Sequence, residues 1–438
     1  MSRRQNRRQF LQTGAASAAA AGFWLTGGVT ESFARQDDPM NKLNIALIGA
    51  GGRAEGNRDG VRRENIVAIC DVDDARAANT FKQFPDAPKF KDYRQMLDKV
   101  RGIDAVVVST PDHTHAHASI LAMRMGKHCY CEKPLTHSVY EARLMRETAA
   151  KHKVATQMGN QGTSSNGLRQ NVEIIRAGTI GDVREVHVWT NRPIWPQNIT
   201  ERPPAQPIPD GLDWNQWLGP APERAYNRAY VPFAWRGWWD FGTGALGDMG
   251  CHTMNMPYMA LNLGAPNSVE ADLATPLNNE TGPNGCTVTY EFPARGEMPA
   301  CKLYWYERRQ PPERLMMGQK PTGSGALLVG SKGTLLCTSD YGDNFKLLPE
   351  GDFRDFRPPQ PSLPRSPGHH AEWIRACKGG AAAMSNFDYS GPLTEMVLLG
   401  NVAMRAQRKI TWDSARMTTD VPGAAQFLRR EYRKGWEL

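Results

Sequence analysis

Asp248 and His252 lie four residues apart in Gly244-Ala245-Leu246-Gly247-Asp248-Met249-Gly250-Cys251-His252, a stretch that reads as a helix from about Ala245. That spacing puts both side chains on one helical face. An imidazole with a pKa near neutrality can take the proton of a hydroxyl as a hydride leaves the same carbon, and a neighbouring carboxylate can bind substrate or orient the ring. Lys133, in Glu132-Lys133-Pro134 after an apolar run, can hold a substrate oxygen and stabilise its alkoxide character. The same residues also suit a capping aspartate, a packed histidine and a purely structural Lys-Pro turn.

A second constellation concerns a phosphate-bearing ligand. Leu43–Ile48 is a compact apolar run, as expected of a buried parallel strand. It enters Gly49-Ala50-Gly51-Gly52-Arg53-Ala54, and a helix can begin there. Gly49 and Gly51 permit a tight turn and close approach of a pyrophosphate, while Ala54 is small enough for helix–strand packing. Backbone N–H groups at the helix start supply the anion contact. The next strand, Ile66–Cys70, ends at Asp71, whose carboxylate can accept from both ribose hydroxyls and repels a 2′-phosphate. Together these predict a bound dinucleotide, NAD rather than NADP; a glycine turn with a capping aspartate is the plainer alternative.

The elements that must position these groups alternate. Strands are expected at Ala105–Ser109, His128–Cys131 and Val154–Met158, and helices at Ala116–Met125 and Ser138–Lys151. This predicts a doubly wound parallel sheet of about six strands, with ligands at the C-terminal strand ends. Thr110-Pro111-Asp112-His113-Thr114-His115 leaves one such end. Histidines 113, 115 and 117 straddle the expected helix start without a cysteine or acid cluster, so nicotinamide packing and helix capping are simpler roles than metal binding, and no metal is expected. The eight cysteines read mostly as small buried side chains; Cys129 and Cys131 are too close for an easy bridge.

Glu132-Lys133-Pro134, Gly49-x-Gly51, Thr110-Pro111 and the Gly244–His252 segment together resemble the Gfo/Idh/MocA oxidoreductase family, over nearly all of residues 42–438. The resemblance implies an N-terminal Rossmann domain (42–160), followed by an α/β domain with a large, mostly antiparallel open sheet (161–438) that faces the substrate and forms homodimer or homotetramer contacts. It also implies that Lys133, Asp248 and His252 are the catalytic group. Gly49, Gly51, Gly52, Arg53, Asp71, Thr110, Pro111, His115, Glu132 and Lys133 are expected around the cofactor. Asp112 stands where the family often has an asparagine, which leaves the nicotinamide contact open.

In the second domain, strands are expected at Val183–Thr190, Val269–Ala274, Cys286–Phe292 and Ala300–Tyr306, with shorter ones at Leu327–Gly330, Gly333–Thr338 and Asn344–Leu348. A helix opens at His369-His370, and a long one covers Pro392–Arg408. Aromatic faces pack on pyranose rings while arginine binds hydroxyls, so Arg192, Trp195, Arg236, Trp238 and Trp239 are the expected substrate wall. Trp214 and Trp217 read as wedges that hold long loops. Three functions follow: oxidation or reduction of a sugar, sugar acid, glycoside or cyclitol; a redox-neutral NAD-dependent glycosidase or lyase passing through a 3-keto sugar; and a non-catalytic sugar-binding protein.

Composition bounds the rest. The 438 residues, 40% hydrophobic and 22% charged, suit a folded chain of two domains. The net charge of +8 includes +3 from residues 1–34, and no basic stripe interleaved with aromatics follows, so nucleic acid is not an expected partner. Arg7-Arg8-Gln9-Phe10-Leu11, the short apolar run Ala15–Leu25 and Ser32-Phe33-Ala34 resemble a twin-arginine export signal, removed to leave a mature terminus near Arg35. The run is too short for a convincing membrane span. A periplasmic or otherwise exported protein, folded before export, is expected; a basic amphipathic start is the alternative.

Overall fold

The structure, a computed structural model, describes residues 41–438; the export segment read at 1–34 lies outside them. The first layer is a parallel sheet of six strands: β1 (Asn44–Ile48), β2 (Asn65–Cys70), β3 (Lys89–Phe90), β4 (Ala105–Val108), β5 (His128–Cys131) and β6 (Thr156–Met158). Their order is β3-β2-β1-β4-β5-β6, so the direction in which strands are added reverses between β1 and β4, which pair in parallel. Apolar runs such as Ala105–Val108 are buried at every residue, because helices cover both faces.

Five helices make those crossovers: α1 (Arg53–Val61), α2 (Asp74–Gln83), α3 (Tyr93–Lys99), α4 (Asp112–Arg124) and α5 (Val139–His152). A complete capping box starts α5, with Ser138 and Glu141 each accepting from the other's backbone N–H. The start of α4 corrects the expectation of a helix from Ala116. Pro111, extended at the cap with φ −62, starts the helix at once, so His113, His115 and His117 all lie inside it and are buried. Helical polar rings are tolerated there where carbonyls meet them: the His113 ring nitrogens face Trp217 O at 2.9 Å and Phe241 O at 3.2 Å.

After α6 (Asn166–Arg176), the second layer is a nine-stranded sheet. Its strands are β7 (Val183–Thr190), β8 (Ser268–Leu273), β9 (Cys286–Phe292), β10 (Cys301–Glu307), β11 (Ser324–Gly330), β12 (Thr334–Cys337), β13 (Lys346–Leu348), β14 (Ile410–Asp413) and β15 (Thr418–Thr419). The order is β13-β12-β11-β7-β10-β9-β8-β14-β15, antiparallel except for the β7–β10 pair. The eight cysteines are free thiols and all but Cys377 are buried.

Residues 191–243 connect β7 to a short α7 (Trp214–Leu218) and then to α8 (Gly244–Thr253), which continues into α9 (Asn255–Ala260). This connection folds around its own aromatic core of Trp214, Trp217, Tyr226, Tyr230, Trp235, Trp238 and Phe241. Trp214 and Trp217 stack at 4.6 Å and 11°. Each such ring pair adds about 0.5–1.5 kcal/mol beyond its burial, enough to hold a long loop in one conformation.

The chain then returns to the first layer. Helix α10 (His369–Cys377) places fully buried Trp373 in the core formed by Ile45, Leu47 and Val107. Helix α11 (Phe387–Ala406) lies along α5, joined by a part-buried Arg143–Glu395 pair at 2.7 Å. The sequence placed the start of α11 at Pro392. It starts five residues earlier because the Asn386 side chain caps the N–H groups of Asp388 and Tyr389, and Pro392 sits inside the helix. A last short helix, α12 (Ala425–Leu428), leads to the C-terminal tail.

Candidate active site

One cavity of about 440 Å³ runs along the C-terminal ends of β1, β2, β4 and β5. At one end is the glycine loop. Gly49 has φ +89 and its added Cβ would lie 2.7 Å from Ser109 O; Gly52 has φ +64 and its Cβ would meet the Arg76 guanidinium at 2.6 Å. Neither position admits a side chain. Gly52 caps α1 without any side-chain acceptor, so the first N–H groups of that helix are left for an anion. Thr110 adds a buried hydroxyl without a partner on the cavity wall. These features fit a dinucleotide.

Asp71 stands at the end of β2, on the cavity wall. Its Oδ2 accepts from Ala50 N at 2.7 Å and its Oδ1 from Asp73 N at 2.9 Å. A carboxylate offers about four acceptor positions, so both bonds leave room for ribose hydroxyls. Burial raises its pKa, and the two backbone bonds oppose that. Arg53 and Glu132 also line the cavity, but they face each other at 2.9 Å, and Asn57 donates to the same Glu132 oxygen at 2.8 Å. Burial would raise the Glu132 carboxyl, yet Arg53, Asn57 and Lys133 together hold it below the usual range. Glu132 therefore orients Arg53 as well as flanking the cofactor groove.

His115, expected beside the cofactor, is not on that wall. It is 1% exposed, and its ring spans Pro134 O and Thr110 O, both at 2.8 Å. It staples the Thr110-Pro111 turn to the loop that carries Lys133. Asp112 is a second such staple. Its Oδ2 accepts from Thr243 N at 3.1 Å and Thr243 Oγ1 at 2.6 Å, fixing the residue that precedes α8.

At the other end of the cavity, Lys133 leaves β5 and meets α8. Its Nζ donates to Asp248 Oδ1 at 2.8 Å and to Asp248 O at 2.6 Å, and Arg236 Nε reaches the same Oδ1 at 3.3 Å. Burial alone would raise the Asp248 carboxyl; Lys133 and Arg236 overcome it and hold it at about 2. His252 lies one turn along α8 but behind this pair. It is 6% exposed, its Nδ1 has no partner, and Tyr341 packs edge-on against it at 5.1 Å. Burial first, then Lys133, pushes its pKa well below the ordinary histidine value, so the ring is neutral. No sequence signal singled out Tyr341, which sits in a loop after β12 and is held through Gln161 Nε2 at 3.2 Å.

The expected substrate wall is only partly formed. Arg236 lines the cavity, with its guanidinium 4.3 Å from the Trp235 ring and 4.6 Å from Phe233. Phe233 and Trp235, not singled out from sequence, supply the aromatic face, and Trp217 reaches the wall too. Trp238 does not: it is 1% exposed inside the aromatic core, edge-on to Tyr230 at 4.8 Å. Trp239 is buried against a different, smaller cavity. Trp195 donates Nε1 to Gln197 at 2.8 Å and backs Phe233, while Arg192 turns to Asn191. Adjacent aromatics in an irregular loop point to different sides, so only one or two of a run can face a ligand.

Two family models match the chain: one described as oxidoreductase family, NAD-binding Rossmann fold, over residues 43–160, and one described as oxidoreductase family, C-terminal alpha/beta domain, over residues 184–289. Together they match just over half of the chain. Glucose-6-phosphate 3-dehydrogenase of Bacillus subtilis is 29% identical over 118 residues, 26% of this chain and 33% of that protein. Inositol 2-dehydrogenase of Gluconacetobacter diazotrophicus is 29% identical over 186 residues, 40% of this chain and 54% of that protein. The chain thus spans between a third and about half the length of these curated relatives. Among solved structures, the WlbA dehydrogenase from Bordetella pertussis in complex with NADH and UDP-GlcNAcA superposes with a TM-score of 0.61 at 17% identity, over 85% of this chain and 99% of that one. The aldose-aldose oxidoreductase from Caulobacter crescentus superposes with a TM-score of 0.58 at 18% identity, over 84% and 99%. At such identity the likeness shows a shared fold.

Proposed function

The chain belongs to the Gfo/Idh/MocA oxidoreductase family, and we propose that it is an NAD-dependent dehydrogenase acting on a hydroxyl of a sugar, sugar acid, glycoside or cyclitol, with its cofactor tightly held. The observation that carries this reading is that one cavity has the glycine loop at one end and the Lys133–Asp248 pair at the other. The low-identity relatives, named for inositol and glucose 6-phosphate, support the substrate class.

NAD supplies the hydride acceptor or donor when bound, with the glycine loop, Asp71 and the Thr110-Pro111 turn holding it. Lys133 donates to the reacting oxygen. Asp248, kept ionised by its two cations, accepts from a neighbouring hydroxyl, and neutral His252 takes the departing proton. The Lys133 ammonium stabilises the alkoxide character that develops as that proton leaves. Phe233 and Trp235 offer aromatic faces to the apolar side of a ring.

Tight cofactor retention is supported by the 191–243 connection. Its residues 211–213 are laced to the loop after β2: Asp74 N donates to Gly211 O, Asp213 N donates to Val72 O, and Leu212 bridges to Asp73. Leu212 of that segment lines the groove beside Asp71, where the adenosine end of a bound cofactor would lie. A retained cofactor must regain its starting redox state in every turnover, from a second sugar or from the same ring. The lacing therefore keeps a redox-neutral glycosidase or lyase as the second reading. Export by the twin-arginine route, with the folded protein carrying its cofactor, is consistent with both.

The test is to incubate NAD-loaded protein with a panel of sugars, cyclitols and glycosides. Bound NADH with a keto product identifies the dehydrogenase, and a released aglycone without net NADH identifies the redox-neutral cycle. Neither signal from any member of the panel would count against both readings.

A further inference from the structure

Behind Gly242 and Thr243, which lead into α8, lies a second cavity of about 40 Å³. Its wall includes His137 before α5, Asn401 and Arg405 on α11, Arg430 on the tail, and Trp239. It is roomier than the roughly 10–15 Å³ a single water requires. Three buried polar atoms of its wall lack a partner among the described residues. Trp239 is 6% exposed and its indole Nε1–H has no partner; Arg430 Nη1 and His137 Nε2 are likewise buried and unpartnered. Indole and guanidinium N–H groups can only donate, so these two are unmet donors that an anion satisfies, while Ser138, Asn401 and Gln426 add acceptor oxygens to the same wall.

Charge points the same way. Arg430 is balanced by Glu141, to which its Nε donates at 2.8 Å. Asp240 and Glu280 are matched by Arg224 and Arg202. Arg405 has no ion pair among the described residues; its guanidinium lies over the Phe427 ring at 4.2 Å and the Trp239 ring at 5.6 Å. Burial lowers its pKa, with Asp240 opposing. Arg405 is half-buried, and its positive charge has no carboxylate partner on this wall among the described residues. The cavity also abuts the N-terminal end of α8, where the helix dipole favours an anion.

We propose that this cavity binds one small monovalent anion, of the size and charge of chloride, through Arg405, Arg430 Nη1 and Trp239 Nε1. Its occupant joins the C-terminal tail and α11 to the base of the helix that carries Asp248 and His252. Asn401, on the same wall, already donates to Thr243 O at 2.8 Å. The anion thus sets the stiffness of the catalytic helix from the side opposite the substrate.

The experiment uses the mature protein, dialysed into gluconate and titrated with chloride or bromide at constant ionic strength. Thermal unfolding should shift upward saturably with either halide, and a bromide-soaked crystal should show anomalous density in the cavity. Trp239→Phe keeps the ring and removes the donor, so it should weaken the halide midpoint about tenfold. Arg405→Met should abolish the shift; if that variant does not fold, Trp239→Phe decides. Overturning results are the absence of a saturable shift, an unchanged midpoint in Trp239→Phe, no bromide in the cavity, or stabilisation by phosphate where halide has no effect.

Discussion

Lys133 Nζ grips Asp248 twice, at the carboxylate and at the backbone oxygen, so a loop of the first layer is bonded directly to the helix of the second. The pair is 15% exposed on each side chain. It fixes the spacing between the two halves of the site and keeps both charges together on the wall of the cavity, where partial burial strengthens their fields.

Lys133→Met removes that charge while keeping most of the stem. Hydride transfer, followed as single-turnover absorbance at 340 nm, should slow by about 10²–10³, the usual cost of one transition-state donor. NAD affinity should be nearly unchanged. His252→Asn should slow the same step by about 10²–10⁴, and the loss should ease at high pH if the ring is the proton acceptor. Wild-type transfer rates in folded, NAD-saturated forms of both variants would sink the mechanism.

Asp71 both faces the cofactor groove and holds the glycine loop through Ala50 N. Calorimetry on stripped wild-type protein should show NAD bound more tightly than NADP. Asp71→Ala should narrow that preference and also weaken NAD itself, because a charge-assisted bond worth about 1.5–3 kcal/mol is lost from the loop. Tighter NADP binding by the wild type contradicts the role given to this carboxylate.

Lys91 ties the two sides of the adenosine rim together, donating to Val72 O at 3.2 Å and to Gly211 O while pairing with Asp74 at 2.7 Å. Lys91→Met should release bound NAD about tenfold faster, equivalent to about 1.4 kcal/mol, with hydride transfer unaltered. Exchange of bound for isotopically labelled NAD measures this, and an unchanged exchange rate removes the rim from the account of cofactor retention.

Burial holds His113, His117 and His369 near 3, where free histidine titrates near 6.5. Between those values the unfolded chain binds more protons than the folded one, so stability must fall as pH falls. A fully buried ring of this kind should cost on the order of 2 kcal/mol at about pH 5. Urea midpoints measured near pH 7.5 and pH 5 should differ accordingly, with the acid sample weaker; equal midpoints would mean these rings protonate in place.

The export reading rests on Arg7-Arg8, the apolar run and Ser32-Phe33-Ala34. Fractionation should find mature protein outside the cytoplasm with its terminus near Arg35, and replacing both arginines by lysine should hold it inside. Normal localisation of that double variant rules out the twin-arginine route.

What the sequence determined by itself was local. Gly49, Gly51 and Gly52 were legible because a positive φ or a close backbone approach favours glycine at each of them. The buried strands were legible because burial on both faces leaves continuous apolar runs, and Asp248 with His252 because helical spacing puts them on adjacent turns. Tertiary structure alone decided which of these groups meet. Trp238, Trp239 and Trp235 are near neighbours of the same type, yet Trp238 is enclosed in the aromatic core, Trp239 walls a separate cavity, and Trp235, at the edge of that same core, reaches the main cavity. Nothing short-range separates them, since an irregular loop has no period to assign a face. His115 was expected beside the cofactor at a strand end, but its carbonyl partner Pro134 O comes from elsewhere in the chain, as does the Thr243 that Asp112 accepts from. A side chain's conformational limits are written in its own neighbourhood; its partners are set by which distant segments packing brings against it.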